Sequence, residues 1–156
     1  MKNIIIISDT HGRLPKNYAF WEILNNADLI IHLGDGYKDI QTLKEAFKDK
    51  FVFVYGNCDF VSSPKEQLLE IEEAKIFITH GHEYKVKSQL MDLQMRGLEL
   101  GADCCLYGHT HRADISDFGN IKLINPGSLG AGRTYCYMTV IGKKILAKIV
   151  DLRSAE

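Results

Sequence analysis

The 156-residue chain is expected to form one mixed α/β domain, residues 1–156, with more than one β-sheet. Three observations predict this. The first third alternates short, nearly all-apolar runs with segments of helical periodicity, the order of parallel strands joined by crossover helices. The last third is a series of short strand-like runs separated by Gly-Asn, Asn-Pro-Gly-Ser and Ile-Gly-Lys turns, which favours antiparallel hairpins. The length suits one hydrophobic core, and no repeat, low-complexity tract or linker divides it.

Taken in order, residues 3–8 form a first strand around Ile4, Ile5, Ile6 and Ile7, apolar throughout as befits a strand covered on both faces. A helix follows at 17–26, where Phe20, Ile23, Leu24 and Ala27 share one face. A strand at 29–33 leads to a helix at 38–48 that buries Ile40, Leu43 and Phe47, and the third strand is 51–55. Residues 66–72 and 75–79 read as a hairpin turning at Glu73-Ala74. A longer amphipathic helix at 84–100 places Val86, Leu90, Leu93 and Leu98 inward and stops at Gly101. Strands are then expected at 103–107, 113–118, 121–124, 133–140 and 144–150.

Composition narrows the function. Hydrophobic residues make up 46% and charged residues 25%, as in ordinary globular proteins. A net charge of -1 provides no broad basic field, so no dedicated nucleic-acid surface is expected. A nuclease stays open, because bound ions can supply local positive charge. The opening apolar run is too short for a signal peptide, and no segment has the apolar length of a membrane span. Cys58, Cys104, Cys105 and Cys136 lack metal-knuckle spacing and are expected to be reduced thiols in a cytoplasmic protein. No heptad or exchangeable arm specifies an oligomer.

Five of the six histidines fall in Asp9-Thr10-His11-Gly12, Thr79-His80-Gly81-His82 and Tyr107-Gly108-His109-Thr110-His111. Gly34-Asp35 and Gly56-Asn57-Cys58-Asp59 lie between the first two of these. Each cluster follows an apolar run, so the five loops can meet at one edge of a sheet. Alone, each is an ordinary turn or capping sequence; their co-occurrence in order points to a shared metal site. Borderline divalent metals accept imidazole nitrogen and carboxylate oxygen together. Asp9 with His11, and His109 with His111, are two positions apart and share a face where the backbone is extended. A carboxylate such as Asp35 can bridge two cations, Asn57 offers a neutral amide oxygen, and His80 adds an imidazole at a strand end.

This ordered set, D-x-H, G-D, G-N-C-D, H-G-H and G-H-T-H, resembles the calcineurin-like metallophosphoesterase family, specifically its compact YfcE-type phosphodiesterase branch. The resemblance implies a four-layer α/β sandwich, two mixed β-sheets face to face with helices on the outside. It also implies a dinuclear centre, with one metal held by Asp9, His11, Asp35 and His111. The second metal would take Asp35, Asn57, His80 and His109, with Asp35 bridging. Asp59 matches a supporting position, while His82 has a supporting, substrate-facing or simply structural role. Residues 125–128, Asn-Pro-Gly-Ser, resemble a loop placed near the site, although a plain turn explains them equally. His32 reads as a core or supporting residue.

The expected activity is hydrolysis of small phosphodiesters by a metal-activated hydroxide, with two divalent ions roughly 3.5–4 Å apart. Manganese is the first choice of ion; nickel, magnesium, iron and zinc are alternatives. Many relatives carry histidine where this chain has Cys58. A thiol, with an ordinary pKa of about 8.5, replaces an imidazole near 6.5 poorly in protonating a leaving group. Cys58 is therefore a candidate catalytic residue suited to diesters whose leaving groups depart unassisted, or else an inert space-filler. Arg13 is a candidate substrate contact or a solvated loop residue, and Asn57 could also touch substrate. With only a strand and turn expected between Asn57 and His80, the site should be open. The alternatives are a phosphomonoesterase or nuclease of the same fold, and a non-catalytic protein-binding scaffold.

Overall fold

The computed structural model describes residues 1–155. Its first sheet has the order β10-β9-β1-β2-β3, built from β1 (Lys2–Ile7), β2 (Leu29–His32), β3 (Phe51–Phe53), β9 (Thr134–Ile141) and β10 (Lys144–Asp151). β1, β2 and β3 are parallel, with Ile4 opposite Leu29 and Ile30 opposite Phe51. Helices α1 (Tyr18–Asn26) and α2 (Tyr37–Ala46) make the two crossovers. The second sheet, ordered β4-β5-β6-β8-β7, contains β4 (Glu66–Ile71), β5 (Ala74–Thr79), β6 (Cys104–Leu106), β7 (Asp114–Asp117) and β8 (Lys122–Asn125). Both sheets are mixed.

The two-residue period of a strand explains the layering. Ile4 and Ile6 of β1 face the second sheet and pack with Ile76, Ile78, Leu106, Ile124 and Met138. Ile5 and Ile7 face the other way, onto Phe20 and Leu24 of α1 and Leu43 of α2. The outer face of the second sheet presents Phe77, Cys105 and Leu123 to Leu93 of α3 (Met91–Glu99). Four layers result: helices, sheet, sheet, helix. Each fully buried leucine or isoleucine side chain contributes about 1.5–3 kcal/mol of apolar transfer.

Three sequence expectations need correction. The long helix at 84–100 is a 3₁₀ turn at His82–Tyr84, an irregular stretch and the shorter α3, with Lys85 at φ 54° interrupting the path. Leu98 accordingly faces solvent, 44% exposed, and Gly97 is the buried residue against Cys105 and Ile121. The β4–β5 turn falls at Glu72-Glu73, with Glu72 at φ 54° and Ala74 already paired with Ile71. Finally, Asn-Pro-Gly-Ser does not close a hairpin. β8 stays in the second sheet between β6 and β7, while β9 crosses to pair with β1.

This crossing matters for the site. The carboxyl ends of β1, β2, β3, β5 and β6 lead directly into the five polar clusters. In open α/β sheets that edge is where ligands bind.

Candidate metal centre

At the strand ends the chain leaves extended geometry abruptly. Asp9, His11, Asp35, His109 and His111 all have positive φ, between 46° and 72°. Such values cost a non-glycine residue about 1–3 kcal/mol each and persist only where surrounding contacts dictate them. The glycines beside these residues allow close approach. A Cβ on Gly34, itself at φ 105°, would lie 2.6 Å from the Gly56 nitrogen, and one on Gly56 would lie 2.2 Å from Asp35 Oδ1. The ends of β2 and β3 can touch only with hydrogen at both positions.

The side chains converge in two groups with a shared margin. Asp9, His11 and His111 offer ligand atoms within 4.8 Å of one another, as do Asp35, His80 and His109. His11, Asp35 and Cys58 form a third set that links the two. Asp9 Oδ1 lies 3.2 Å from His111 Nε2 and 3.8 Å from both His11 and His80 Nε2. Asp35 Oδ2 lies 3.2 Å from His80 Nε2 and 3.9 Å from His11 Nε2. Thus Asp35 reaches both halves, as a bridging carboxylate must. The Asp9 and His80 side chains form a buried floor, while those of His11 and His111 are 37% and 42% exposed at the rim.

Hydrogen bonds orient these donors. Asp9 Oδ2 accepts from Ser8 Oγ (2.6 Å) and from the His109 amide (3.0 Å), turning Oδ1 toward the imidazoles. His80 Nδ1 donates to the Leu33 carbonyl at 2.8 Å, leaving the Nε2 lone pair free to ligate. Asp35 Oδ1 accepts from the Cys58 amide (2.8 Å). Asp9 Oδ1 and His80 Nε2 are buried without a hydrogen-bond partner. An anionic acceptor facing imidazole acceptors is costly to bury unless a cation lies between them. The donor set therefore fits divalent metal ions.

Electrostatics agrees. Burial opposes ionisation of Asp35, but His80 and the Cys58 amide hold its carboxyl well below the usual range. Burial lowers the His80 pKa, yet Asp35 and Asp9 outweigh it and the net shift is upward. Burial, then His80 and Lys87, push His109 down to about 4, keeping it neutral and able to ligate.

The supporting residues are equally specific. Asp59 accepts from three backbone amides: Asp35 (2.8 Å), Gly36 (2.8 Å) and Gly56 (2.7 Å). His32 Nδ1 accepts from the Gly34 amide (3.0 Å), so its Nε2 donates to Thr10 Oγ1 (2.9 Å). His82 stands beside the second group, its ring centroid 5.6 Å from His80 and 6.1 Å from His109. Asn125 Nδ2 donates to the Gly108 carbonyl and Thr110 Oγ1, and Ser128 Oγ donates to the Asp9 carbonyl. The 125–128 segment thereby ties the first and last ligand loops together. Asp39, on the first turn of α2, accepts from the Gly12 amide (2.9 Å) and fixes the loop after His11.

Ser8 and Asp39 carried no sequence signal, because a serine just after a strand and an aspartate on a helix are commonplace. The Asn57 amide Nδ2 points toward Cys58 Sγ at 3.6 Å, on the exposed side of the cluster. Arg13 is exposed, and its guanidinium has no hydrogen-bond or carboxylate partner among the described residues; its carbonyl accepts from Arg133. Between Asn57 and His80 the chain forms a loop, β4 and β5, so no separate domain covers the site among the described residues.

A family model described as the calcineurin-like phosphoesterase superfamily domain matches residues 1–143. The probable metallophosphoesterase YsnB of Bacillus subtilis is 38% identical over 162 residues, spanning 99% of this chain and 94% of its own length. Phosphodiesterase YfcE of Escherichia coli is 30% identical over 156 residues, spanning 83% of this chain and 80% of its own. A predicted phosphoesterase from Streptococcus pneumoniae has a structure that superimposes with a TM-score of 0.79 at 26% identity, over 96% of this chain and 89% of that one. Vacuolar Protein Sorting 29 from Cryptosporidium parvum shares the fold, with a TM-score of 0.83 at 21% identity over 99% and 93% of the two chains.

Proposed function

The chain belongs to the calcineurin-like phosphoesterase superfamily, and on that premise we propose that it is a metal-dependent phosphodiesterase acting on small phosphodiesters. The observation that carries this reading is the buried, unpartnered pair Asp9 Oδ1 and His80 Nε2, set among further imidazoles and a second carboxylate.

Asp9, His11 and His111 would hold one divalent ion and His80, His109 and Asn57 the other, with Asp35 shared. Manganese is the first candidate, ahead of nickel, magnesium, iron and zinc. Ions so held supply Lewis acidity toward phosphoryl oxygens and acidify water. The protein's own part is to aim the imidazoles. The Leu33 carbonyl holds the His80 ring with Nε2 turned into the cluster, and burial, ahead of the charges of His80 and Lys87, keeps His109 neutral. The exposed rim at His11 and His111 admits substrate from solvent.

Cys58 limits the chemistry. Burial, and then the charge of Asp35, raise its thiol pKa, so it stays protonated and gives up its proton reluctantly. Diesters with stable leaving groups, such as aryl esters, are accordingly the favoured substrates. The four free cysteines fit a reducing compartment, and we place the protein in the cytoplasm as a single domain. No helix among the described residues is long and apolar enough to cross a membrane.

The test is a rate comparison after reconstitution with Mn²⁺. Hydrolysis of bis(p-nitrophenyl) phosphate should exceed that of p-nitrophenyl phosphate and of an oligonucleotide. Faster monoester or oligonucleotide cleavage would move the assignment to a phosphomonoesterase or a nuclease. The fold shared with Vacuolar Protein Sorting 29 favours a second reading, a non-catalytic scaffold. Stoichiometric metal with no phosphoester hydrolysis would support it.

A further inference from the structure

A cavity of about 620 Å³ adjoins the ligand cluster on the side of the second sheet. Its size is that of a site for a small organic ligand. Val86, Leu90 and Tyr107 provide an apolar body, and Thr110, between His109 and His111, makes its border with the ligand loop. Val86 also packs against Gly81, where an added Cβ would lie 2.9 Å from Val86 Cγ2, so the loop carrying His80 forms part of the same structure.

The rim carries two cations, Lys87 and Arg112. Neither has a carboxylate within 4.0 Å among the described residues, whereas the nearby Lys65 pairs with Glu83 at 3.6 Å. Asp114 also lines the cavity; its Oδ2 accepts from Ser116 Oγ at 2.5 Å, and two cations stand against its single negative charge. Unpaired cations beside an apolar wall, next to a site for phosphoryl groups, complement a ligand with an organic body and an anionic end.

We infer that this cavity is a subsite for a terminal phosphate, so that the preferred small diesters carry a second, phosphomonoester group on one arm. The inference rests on the diesterase reading for its substrate class. The phosphate binds at Lys87 and Arg112, and the organic body lies on Tyr107 and Val86. The reacting diester then reaches the cluster beyond Thr110.

Two experiments test the subsite separately from hydrolysis. In the first, the Mn²⁺-loaded protein is titrated with a nucleoside 3′,5′-bisphosphate and with the corresponding 5′-monophosphate. The bisphosphate should bind about tenfold more tightly, the size expected of charge-assisted hydrogen bonds at a partly exposed site. That ratio should fall to within twofold of unity in Lys87→Ala/Arg112→Ala, and charge reversal in Lys87→Glu should depress bisphosphate binding further. Equal affinity of the wild type for the two nucleotides, or an unaltered ratio in the double variant, would overturn the subsite. In the second, kcat/KM is compared for a nucleoside 5′-(p-nitrophenyl phosphate) with and without a 3′-phosphate; preference for the phosphorylated form is expected, and its absence counts against the inference. Failure of the diesterase reading shows differently, as no turnover of bis(p-nitrophenyl) phosphate by wild type while the nucleotide binding ratio persists.

Discussion

Replacing Asp59 by asparagine should weaken metal binding although the side chain lies outside both ligand groups. In the native protein Oδ2 accepts from the Asp35 and Gly56 amides and Oδ1 from the Gly36 amide. An asparagine keeps the shape but has only one acceptor oxygen. With that oxygen at the Oδ2 position, two bonds survive without the charge, and an NH₂ group faces the Gly36 N–H. The lost charge-assisted bond costs about 1.5–3 kcal/mol, and the buried donor left opposite another donor about 1–3 kcal/mol. A total of roughly 2.5–6 kcal/mol should appear in urea unfolding of the metal-free protein. Asp35 and Gly56 would then be less firmly held, and loss of such a support typically lowers metal affinity about 10–100-fold. Competition with a chelating dye measures this for Mn²⁺. A folded Asp59→Asn protein with wild-type affinity within twofold would refute the idea that Asp59 positions the ligands.

Stability should fall in mild acid through His32, whose pKa is pushed down to about 3 by burial and then by the charge of His80. Below pH 6.5 the unfolded chain takes up a proton that the folded chain refuses, so this contribution is intact above 6.5 and is lost as pH falls toward 3; between pH 6.5 and 5 the loss is about 2 kcal/mol. His32→Gln should remove that part of the slope in metal-free urea unfolding at pH 7 and pH 5, and an equal acid loss in the variant would count against it. Cys58→His should accelerate alkyl phosphodiesters more than aryl ones, as judged by paired kcat/KM values, whereas equal gains would dismiss leaving-group protonation as the missing function. Gly97→Ala should destabilise by about 1–3 kcal/mol, because the new Cβ would lie 2.5 Å from both Cys105 Sγ and Ile121 Cδ1. The neighbouring exposed change Leu98→Ser should stay within about 0.5 kcal/mol in the same melts, and a reversed order would contradict the placement of α3.

The parts of the fold that were legible in the sequence are those governed by local periodicity. The apolar run at Ile4–Ile7 and the single-face pattern of Phe20 and Leu24 directly reflect burial from two sides and from one. The segment around 84–100 misled because Val86, Leu90 and Leu93 keep helical spacing although the chain between them is irregular. All three still pack in one cluster, so the pattern reported burial correctly and conformation incorrectly. The crossing from β8 to β9 was hidden for another reason. Asn125 and Ser128 look like turn formers, yet their side chains are spent on Gly108, Thr110 and Asp9, contacts more than ten residues away. The candidate ligand residues stood out because histidine and aspartate after strands are chemically conspicuous, and the fold brings six of them, Asp9, His11, Asp35, His80, His109 and His111, together. The residues that orient them, Ser8 and Asp39, are not conspicuous, since only the fold brings them to Asp9 and Gly12.

Metal stoichiometry tests the paired-ion centre most directly. Equilibrium dialysis against Mn²⁺, followed by elemental analysis, should give two ions per chain for the wild type. His111→Ala should retain one, and Asp35→Asn, which alters the carboxylate facing both groups, should lose affinity at both sites. Trace metal in the wild type, or two tightly held ions in Asp35→Asn, would contradict a pair of cations sharing that side chain.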